Sequence, residues 1–364
     1  MKKQQHHGGD LDAISAQYGI PRDKIIDFAG NVNPLGFPAR AAQALREHID
    51  LVTTYPDREY TTLRQAIAQY SGADPDHILV DNGSTELISA FIHRSCRGKT
   101  IIIGPAYSEY EREVTLAGGE FSYFELREDE NFVLNHERLI QSITPDVGLL
   151  ILCNPNNPTG TAVFRPQLEE ILRHCRTTGT AVMVDETYME FSQQSAEMCA
   201  IPLTRRYDNL FVIRGIAKFF AAPGLRLGYA VCGNEQMLSD IRAYQRPWSV
   251  NILASYAGEQ LFSDTAFMRG TQQLIFEERN RIYQEISTWK HCRIYPSASN
   301  FLLVRLLDCK NDAHAIFEHL IRLGMLVRDA ASFTFLDESY LRFCIRLPEQ
   351  NDALLKELHF LIEE

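Results

Sequence analysis

The chain has 364 residues, of which 45% are hydrophobic and 23% are charged. This length and composition predict a globular protein with one large domain and a smaller one, and they exclude a disordered or membrane-bound chain. The formal net charge of −11 excludes sequence-independent binding to nucleic acid or to an anionic membrane.

The eight cysteines are scattered along the sequence without a CxxC or another close pair. This spacing predicts buried free thiols rather than a zinc site or a disulfide framework. The first ten residues, MKKQQHHGGD, contain no apolar core of the kind a secretory signal needs, and apolar runs such as 147–153 are too short to span a bilayer. We therefore expect a cytoplasmic protein with no bound metal.

Short apolar runs alternate with segments of helical periodicity over most of the chain. Seven runs have the composition of strands: 77–82, 99–107, 120–126, 147–155, 180–186, 209–215 and 226–232. Strands this apolar are buried on both faces. The sequence thus predicts an α/β fold, with a mostly parallel central sheet and helices on both of its faces.

The pattern changes after about residue 290 to one that fits a small α+β domain. The amphipathic stretch 265–290 is predicted to be a helix that joins the two domains. We expect residues 1–45 to form an N-terminal arm and part of the small domain, residues 46–265 to form the large domain, and residues 266–364 to form the C-terminal small domain.

Polar residues follow the predicted strands at their carboxyl ends, where parallel sheets bind ligands. Gly83, Ser84 and Thr85 follow the first run, at a helix start whose amides and hydroxyls can form a phosphate cradle. Such hydroxyls are equally typical of a simple helix cap. The segment NPNNPTG at 154–160 follows the fourth run, and by itself it is typical of a turn.

Ionisable residues follow the next two runs. Asp185 ends the fifth run and Tyr188 comes three residues later, whereas Lys218 follows the sixth run among small and apolar residues, with Arg226 eight positions on. An apolar environment lowers the pKa of a lysine. The amine of Lys218 is therefore a candidate nucleophile at neutral pH.

Taken in order, these motifs resemble the fold-type I pyridoxal-phosphate enzymes of the aspartate aminotransferase superfamily. The resemblance implies that Lys218 bonds covalently to the cofactor aldehyde and that Asp185 keeps the pyridine nitrogen protonated, so that the ring accepts electrons. It also implies that Asn157 and Tyr188 donate hydrogen bonds to the phenolic oxygen of the ring. Lys218, Asp185 and Tyr188 are the expected catalytic residues.

The same resemblance assigns further cofactor contacts. Arg226 is expected to hold the cofactor phosphate together with residues 83–85, a task suited to a guanidinium fork. Tyr110 is the first candidate to stack on the ring and Tyr107 the second, with a core aromatic as the alternative for each. Tyr55 is expected to cross the interface of a homodimer and to reach the second cofactor phosphate.

The chain departs from the family pattern at two positions. Relatives usually carry hydroxyl residues three positions and one position before the lysine, where this chain has Gly215 and Ala217. We therefore expect weaker cofactor retention than is usual in the family, unless Asn82 or Arg214 compensates.

The N-terminal residues narrow the resemblance. Segments 6–20, 26–38 and 244–251 resemble the threonine-phosphate decarboxylases of the cobalamin pathway. Histidinol-phosphate aminotransferases share the YPD, NPNNPTG and DExYxEF motifs but usually lack the HGG start. An HGG start can also be a frayed terminus or a tag remnant, but family-like sequence follows it directly, which favours a native element.

The resemblance implies substrate contacts from both ends of the chain: His7, Gly8, Gly9, Asn33, Asn157, Arg328 and Arg342. Guanidinium forks and a histidine suit a substrate that carries a phosphate and a carboxylate. Which of the two arginines takes which anion stays open. Arg346, expected on the same strand face as Arg342, is a reserve candidate.

We expect a pyridoxal-phosphate-dependent decarboxylase that converts L-threonine O-3-phosphate to (R)-1-aminopropan-2-yl phosphate. A histidinol-phosphate aminotransferase and a non-catalytic cofactor-binding module are the alternatives. A decarboxylase of L-serine O-phosphate is another, because one methyl group changes the binding free energy by only about 1–3 kcal/mol. A Rossmann dehydrogenase is excluded, because no GxGxxG motif follows any strand.

Overall fold

The computed structural model describes residues 10–364. Its large sheet contains seven strands: β2 (Ile78–Asp81), β3 (Lys99–Gly104), β4 (Glu120–Glu125), β5 (Val147–Cys153), β6 (Ala181–Asp185), β7 (Leu210–Gly215) and β8 (Gly228–Cys232). Their order is β2-β8-β7-β6-β5-β3-β4, and β8 is antiparallel to both of its neighbours. The remaining pairs are parallel. The prediction of a mostly parallel sheet is confirmed, and each predicted run contains one of these strands.

Helices connect the strands of the large sheet and continue before and after it along the chain. In chain order they are α1 (Leu11–Tyr18), α2 (Ala39–Glu47), α3 (Thr61–Ser71), α4 (Ser84–Ser95), α5 (Glu109–Leu116), α6 (His136–Ser142), α7 (Arg165–Thr178), α8 (Ser195–Met198), α9 (Glu235–Tyr244), α10 (Ile252–Leu261), α11 (Thr265–Ile286), α12 (Ala313–Arg322) and α13 (Pro348–Glu363). In the part of the chain that the structure describes, no helix combines the length and the apolar character that a membrane span needs.

Helix α4 shows how the sequence fixes these elements. Its apolar positions fall at helical spacing, so that Leu87, Ile88 and Phe91 are buried on one face. The Phe91 ring stacks on Phe211 of β7, with the ring centroids 4.3 Å apart. This packing holds the second half of α4 against the start of β7, and at the other end Ser84 lies beside Gly215, the last residue of β7.

A smaller sheet lies in the C-terminal part of the chain. It consists of β9 (Cys292–Ile294), β10 (Phe301–Leu306), β12 (Arg328–Asp329) and β13 (Tyr340–Cys344), in the order β12-β13-β10-β9. The register of β12 and β13 places Arg328 directly opposite Arg342. Two arginines that are 14 positions apart in the sequence thus become neighbours on adjacent strands.

The N-terminal segment joins this smaller unit. Strand β1 (Ile26–Asp27) pairs in parallel with β11 (Met325–Leu326), just before β12. The helix predicted over 265–290 is present as α11 and ends at Ile286. The domain boundaries near residues 45 and 265 stay predictions.

The cysteines are all free thiols, as expected. Five are buried, whereas Cys96, Cys199 and Cys309 are only partly buried.

Candidate active site

A cavity of about 260 Å³ lies at the carboxyl ends of the parallel strands. It is lined by most of the residues predicted from the sequence: Ser84, Thr85, Tyr107, Tyr110, Asn157, Asp185, Tyr188, Ala217, Lys218, Arg226, Arg328 and Arg342. Among the described residues that line the cavity, Asp185 is the only carboxylate, whereas four side chains are cationic. This balance suits an anionic ligand.

Lys218 extends into the cavity from the loop after β7. Its Nζ donates a hydrogen bond to the carbonyl oxygen of Gly30 at 2.7 Å. Burial lowers the pKa of Lys218 to about 8, and the positive charge of Arg342 contributes to the shift. A substantial fraction of the amine is therefore neutral near physiological pH and can act as a nucleophile.

Asp185 closes β6 at the floor of the cavity. Its Oδ1 accepts hydrogen bonds from the backbone N–H and the hydroxyl of Thr187, at 2.9 and 2.5 Å. Its Oδ2 accepts one from the Tyr110 hydroxyl at 2.7 Å. Burial raises the pKa of Asp185, and these three hydrogen bonds oppose the rise.

The N-terminus of α4 and Arg226 form an anion cradle. Gly83 precedes the helix with φ of +90°, and a Cβ atom there would lie 2.4 Å from Nη2 of Arg226. A Cβ atom on Gly228 would lie 2.3 Å from the amide nitrogen of Ser84. The positive φ at Gly83 and the backbone contact at Gly228 both favour glycine. The guanidinium and the strand thus approach the helix N-terminus closely, a geometry that suits a phosphate group.

Two arginines from the smaller sheet form the opposite wall. Arg342 donates to Oδ1 of Asn157 and to the carbonyl oxygen of Ala29, both at 2.5 Å, and it is buried. Arg328 donates to the Ser332 hydroxyl at 2.6 Å. Both guanidinium groups lie near the ring of Phe333: that of Arg328 is 5.4 Å from the ring centroid and that of Arg342 is 5.9 Å from it.

The electrostatics of this wall favour an anion. Burial, together with the neighbouring charge of Arg342, lowers the pKa of Arg328 to about 10. Burial also lowers the pKa of Arg342. Because a bound anion relieves the repulsion between two adjacent cations, the pair is suited to phosphate and carboxylate groups.

A model of the family described as aminotransferase class I and II matches residues 23–358. The chain belongs to this family. Enzymes of the family depend on pyridoxal phosphate. The match covers both sheets and all of the cavity residues described above.

Individual members of the family resemble the chain over almost its full length. The chain is 34% identical over 352 residues to the threonine-phosphate decarboxylase of Salmonella typhimurium strain LT2, covering 97% of this chain and 95% of that protein. The histidinol-phosphate aminotransferase of Clostridium acetobutylicum is 30% identical with a TM-score of 0.85, covering 91% and 97%. The L-threonine-O-3-phosphate decarboxylase of Porphyromonas gingivalis is 26% identical with a TM-score of 0.81, covering 92% and 98%.

The residues present fit the cofactor of the aminotransferase class I and II family. The cradle of Arg226 and the α4 N-terminus is matched to its phosphate, Lys218 to its aldehyde and Asp185 to a protonated ring nitrogen. The close approach of the Arg226 guanidinium to Gly83, at the N-terminus of α4, is the structural observation that supports this fit most directly.

The two tyrosines of the GPAYSEY segment both reach the cavity. The Tyr110 ring is perpendicular to that of Tyr107, with centroids 5.7 Å apart. Tyr110 is fully buried, and its hydroxyl donates a hydrogen bond to Asp185. Burial raises the pKa of Tyr107 to about 12. Which of them stacks on the cofactor ring stays a prediction.

Asn33 lies elsewhere than expected. Its amide nitrogen donates to the Phe219 carbonyl and the Thr271 hydroxyl at 2.6 and 2.8 Å, and its Oδ1 accepts the N–H of Leu35 at 3.0 Å. With these bonds made in the core, Asn33 does not line the cavity. Asn31 lines it instead and donates to the Tyr188 hydroxyl at 3.3 Å.

Arg346 also differs from the expectation. Strand β13 ends at Cys344, so Arg346 does not continue the strand face of Arg342. Its Nη1 donates to the carbonyl oxygen of Val32 at 3.2 Å, and the side chain lies outside the cavity lining.

Neither Asn82 nor Arg214 reaches the anion cradle formed by Arg226 and the N-terminus of α4. Arg214 is buried and donates twice to one carboxylate oxygen of Glu186, at 2.7 and 2.8 Å, with Glu190 3.7 Å away. Asn82 is exposed and does not line the cavity. The suggestion that Asn82 or Arg214 replaces the missing hydroxyls is therefore wrong.

The remaining predicted residues are Tyr55 and the N-terminal residues 7–9. Tyr55 is 78% exposed, with its ring 4.9 Å from that of Trp248. His7, Gly8 and Gly9 lie outside the described residues.

Three residues that the sequence motifs do not single out also line the cavity: Gly30, Asn31 and Thr187. The sequence signal was weak in each case. Gly30 acts through its carbonyl group, Asn31 is one of two asparagines in GNVN, and Thr187 occupies an unspecified position inside the Asp-x-x-Tyr motif.

Proposed function

We propose that this enzyme decarboxylates L-threonine O-3-phosphate to (R)-1-aminopropan-2-yl phosphate, the linker used in cobalamin assembly. The observation that carries the proposal is the pairing of Arg328 with Arg342 across adjacent strands, on the wall that faces Lys218. Two anion-binding forks suit a substrate with two anionic groups. The similarity to threonine-phosphate decarboxylases over nearly the whole chain supports the same assignment.

The position of each residue in the site determines its proposed role in the reaction. Bound pyridoxal phosphate accepts the electrons of a bond broken at the Cα atom of an amino acid. Arg328 and Arg342 bind the phosphate and carboxylate and so decide which Cα bond is aligned with the ring. With the carboxylate bond aligned, carbon dioxide leaves, and Lys218 in its ammonium form is the group placed to deliver a proton to Cα and become the neutral amine.

Asp185 supplies the charge that this chemistry requires. It is held by Thr187 and Tyr110 and remains the anionic partner of a protonated ring nitrogen. Asn157 and Tyr188, the proposed donors to the phenolic oxygen, both line the cavity. Asn157 also contacts Arg342, which links the cofactor side of the site to the substrate side.

A pair of assays tests the proposal. The enzyme is incubated with phosphothreonine and carbon dioxide is measured, and separately with histidinol phosphate plus 2-oxoglutarate and glutamate is measured. We expect carbon dioxide from the first reaction and no glutamate from the second. Glutamate without carbon dioxide would establish the aminotransferase instead. The Lys218→Ala variant is the control, because it removes the amine that either reaction needs.

Histidinol-phosphate aminotransferase is the second candidate, favoured by the TM-score of 0.85 to one such structure. Phosphoserine is the substrate alternative, and its decarboxylation rate relative to phosphothreonine is measured in the same assay. A cofactor absorbance band without turnover of any phosphorylated amino acid would indicate a non-catalytic module.

We propose in addition that the enzyme is a cytoplasmic homodimer in which Tyr55 contacts the second cofactor phosphate. Ile49 and Val52 lie near Tyr55 in the sequence, and both are 57% exposed, an unusual exposure for aliphatic side chains that suits an interface. Light scattering tests the dimer. The Tyr55→Phe variant tests the contact, since it keeps the ring and removes the hydroxyl, and we expect weaker cofactor binding by an unchanged dimer.

His7, with Gly8 and Gly9, is proposed to bind the substrate phosphate. The His7→Ala variant is expected to raise the KM for phosphothreonine and to leave cofactor affinity unchanged. An unchanged KM would remove His7 from the site.

A further inference from the structure

A single turn in the N-terminal segment contacts both sides of the active site. The carbonyl oxygen of Gly30 accepts the hydrogen bond from Nζ of Lys218 at 2.7 Å. The adjacent carbonyl oxygen of Ala29 accepts the one from Nη2 of Arg342 at 2.5 Å. The amine that bonds the cofactor and a guanidinium that binds substrate are therefore positioned by neighbouring peptide groups.

The side chain of Asp27 holds this turn. Its Oδ1 accepts the backbone N–H groups of Ala29 and Gly30, both at 2.8 Å. Two peptide groups that share one acceptor cannot rotate independently, so the directions of both carbonyl groups depend on this carboxylate.

The turn is anchored to the strands that carry the arginines. Phe28 is fully buried; its N–H donates to the carbonyl of Leu326 in β11 and its own carbonyl accepts from the N–H of Cys344 in β13, both at 2.8 Å. Between these anchors and the cavity, the side chain of Asp27 holds the N–H groups of Ala29 and Gly30.

Gly30 is needed for the same arrangement. A Cβ atom at this position would lie 2.4 Å from Oδ2 of Asp27. The requirement is for space rather than for an unusual backbone angle, because Gly30 does not have a positive φ. A side chain at position 30 would force the carboxylate and the turn apart.

We propose that Asp27 is a positioning residue that sets the Ala29–Gly30 turn and thereby places Lys218 for the cofactor and Arg342 for the substrate. The part that concerns Arg342 rests on the proposed function, whereas the part that concerns Lys218 does not. The charge of Asp27 also favours the protonated form of Lys218, with Cys344 acting in the same direction and Arg342 and Arg226 acting in the opposite one.

Two variants separate geometry from charge. Asp27→Asn keeps an oxygen that can accept both N–H groups but removes the charge. Asp27→Ala removes both. Asp23→Ala is the matched control, because Asp23 is an exposed aspartate in the same segment and lies outside the site.

The first readout does not require turnover. Cofactor-free protein is mixed with pyridoxal phosphate, and the second-order rate of attachment to Lys218 is followed by absorbance. We expect Asp27→Ala to slow attachment about tenfold, the effect of one displaced hydrogen-bonded group. Asp27→Asn is expected to stay within about threefold of the wild type at a pH where Lys218 is neutral.

The second readout is the KM for phosphothreonine, which we expect to rise about tenfold in Asp27→Ala and to be restored in Asp27→Asn. Wild-type rates in Asp27→Ala, or equal losses in Asp27→Asn and Asp27→Ala, would overturn the proposal. If Asp27→Ala does not fold, Gly30→Ala takes its place and must show the slowed attachment. A wild type that attaches the cofactor but never uses phosphothreonine would refute the proposed substrate and leave the attachment test of Asp27 valid.

Discussion

Gly215 ends β7 beside the N-terminus of α4, at one of the two positions where the family resemblance leads us to expect a hydroxyl residue. A Cβ atom there would lie 3.4 Å from the carbonyl oxygen of Leu227 and 3.6 Å from Oγ of Ser84, which are ordinary contact distances. Its φ lies outside the left-handed region, so an L side chain causes no backbone strain. The Gly215→Ser variant therefore places a hydroxyl at the phosphate cradle without displacing its neighbours.

The expected gain follows from one added hydrogen bond. A hydrogen bond to a charged group contributes about 1.5–3 kcal/mol, and ordering a serine side chain offsets a small part of it. A net gain of about 1–2 kcal/mol tightens the cofactor dissociation constant by a factor of about 5–30.

Equilibrium dialysis of the cofactor-free protein against pyridoxal phosphate measures this constant. Gly215→Ala is the control, since it adds the Cβ atom without the hydroxyl and is expected to bind the cofactor like the wild type. Equal affinity of the serine and alanine variants would refute the reasoning, because the hydroxyl would then make no contact with the phosphate.

Three further outcomes follow from the site. Because only the neutral amine attacks the aldehyde, the rate of cofactor attachment to Lys218 should rise with pH and level off above about 8; a rate flat between pH 6 and pH 9 would contradict the lowered pKa. Gly83→Ala should weaken cofactor binding about 100-fold, measured by dialysis, because its Cβ atom would displace Arg226 and occupy a strained positive φ. Thr187→Val should lower kcat about tenfold with little change in KM, since Asp185 loses one donor, and Thr187→Ser should restore it; a valine variant with wild-type kcat would remove this role.

The strands and the central residues could be predicted because they rest on local signals. Apolar runs bounded by turn residues predicted all seven strands of the large sheet. Asp185 and Lys218 could be identified because they lie at or just after the carboxyl ends of those strands. These residues need only the topology of a parallel sheet to be brought together.

Features that depend on register or on a single backbone turn could not be predicted. The adjacency of Arg328 and Arg342 arises from the pairing of β12 with β13, which sequence spacing does not determine. Asn33 and Asn31 lie in one motif, and the backbone, with φ of +55° at Asn31, brings Asn31 rather than Asn33 to the cavity. The sequence predicts that the strand of Arg342 continues to Arg346, because no breaker precedes Pro348, whereas β13 ends at Cys344.

The attachment of the cofactor to Lys218 is the contact on which the site depends. Borohydride reduction of the cofactor-loaded protein, followed by peptide mass spectrometry, tests it directly. We predict that the pyridoxyl phosphate mass is found on the peptide that contains Lys218 and is absent from the Lys218→Ala variant. A loaded protein in which Lys218 stays unmodified, or in which another lysine carries the label, would contradict the account.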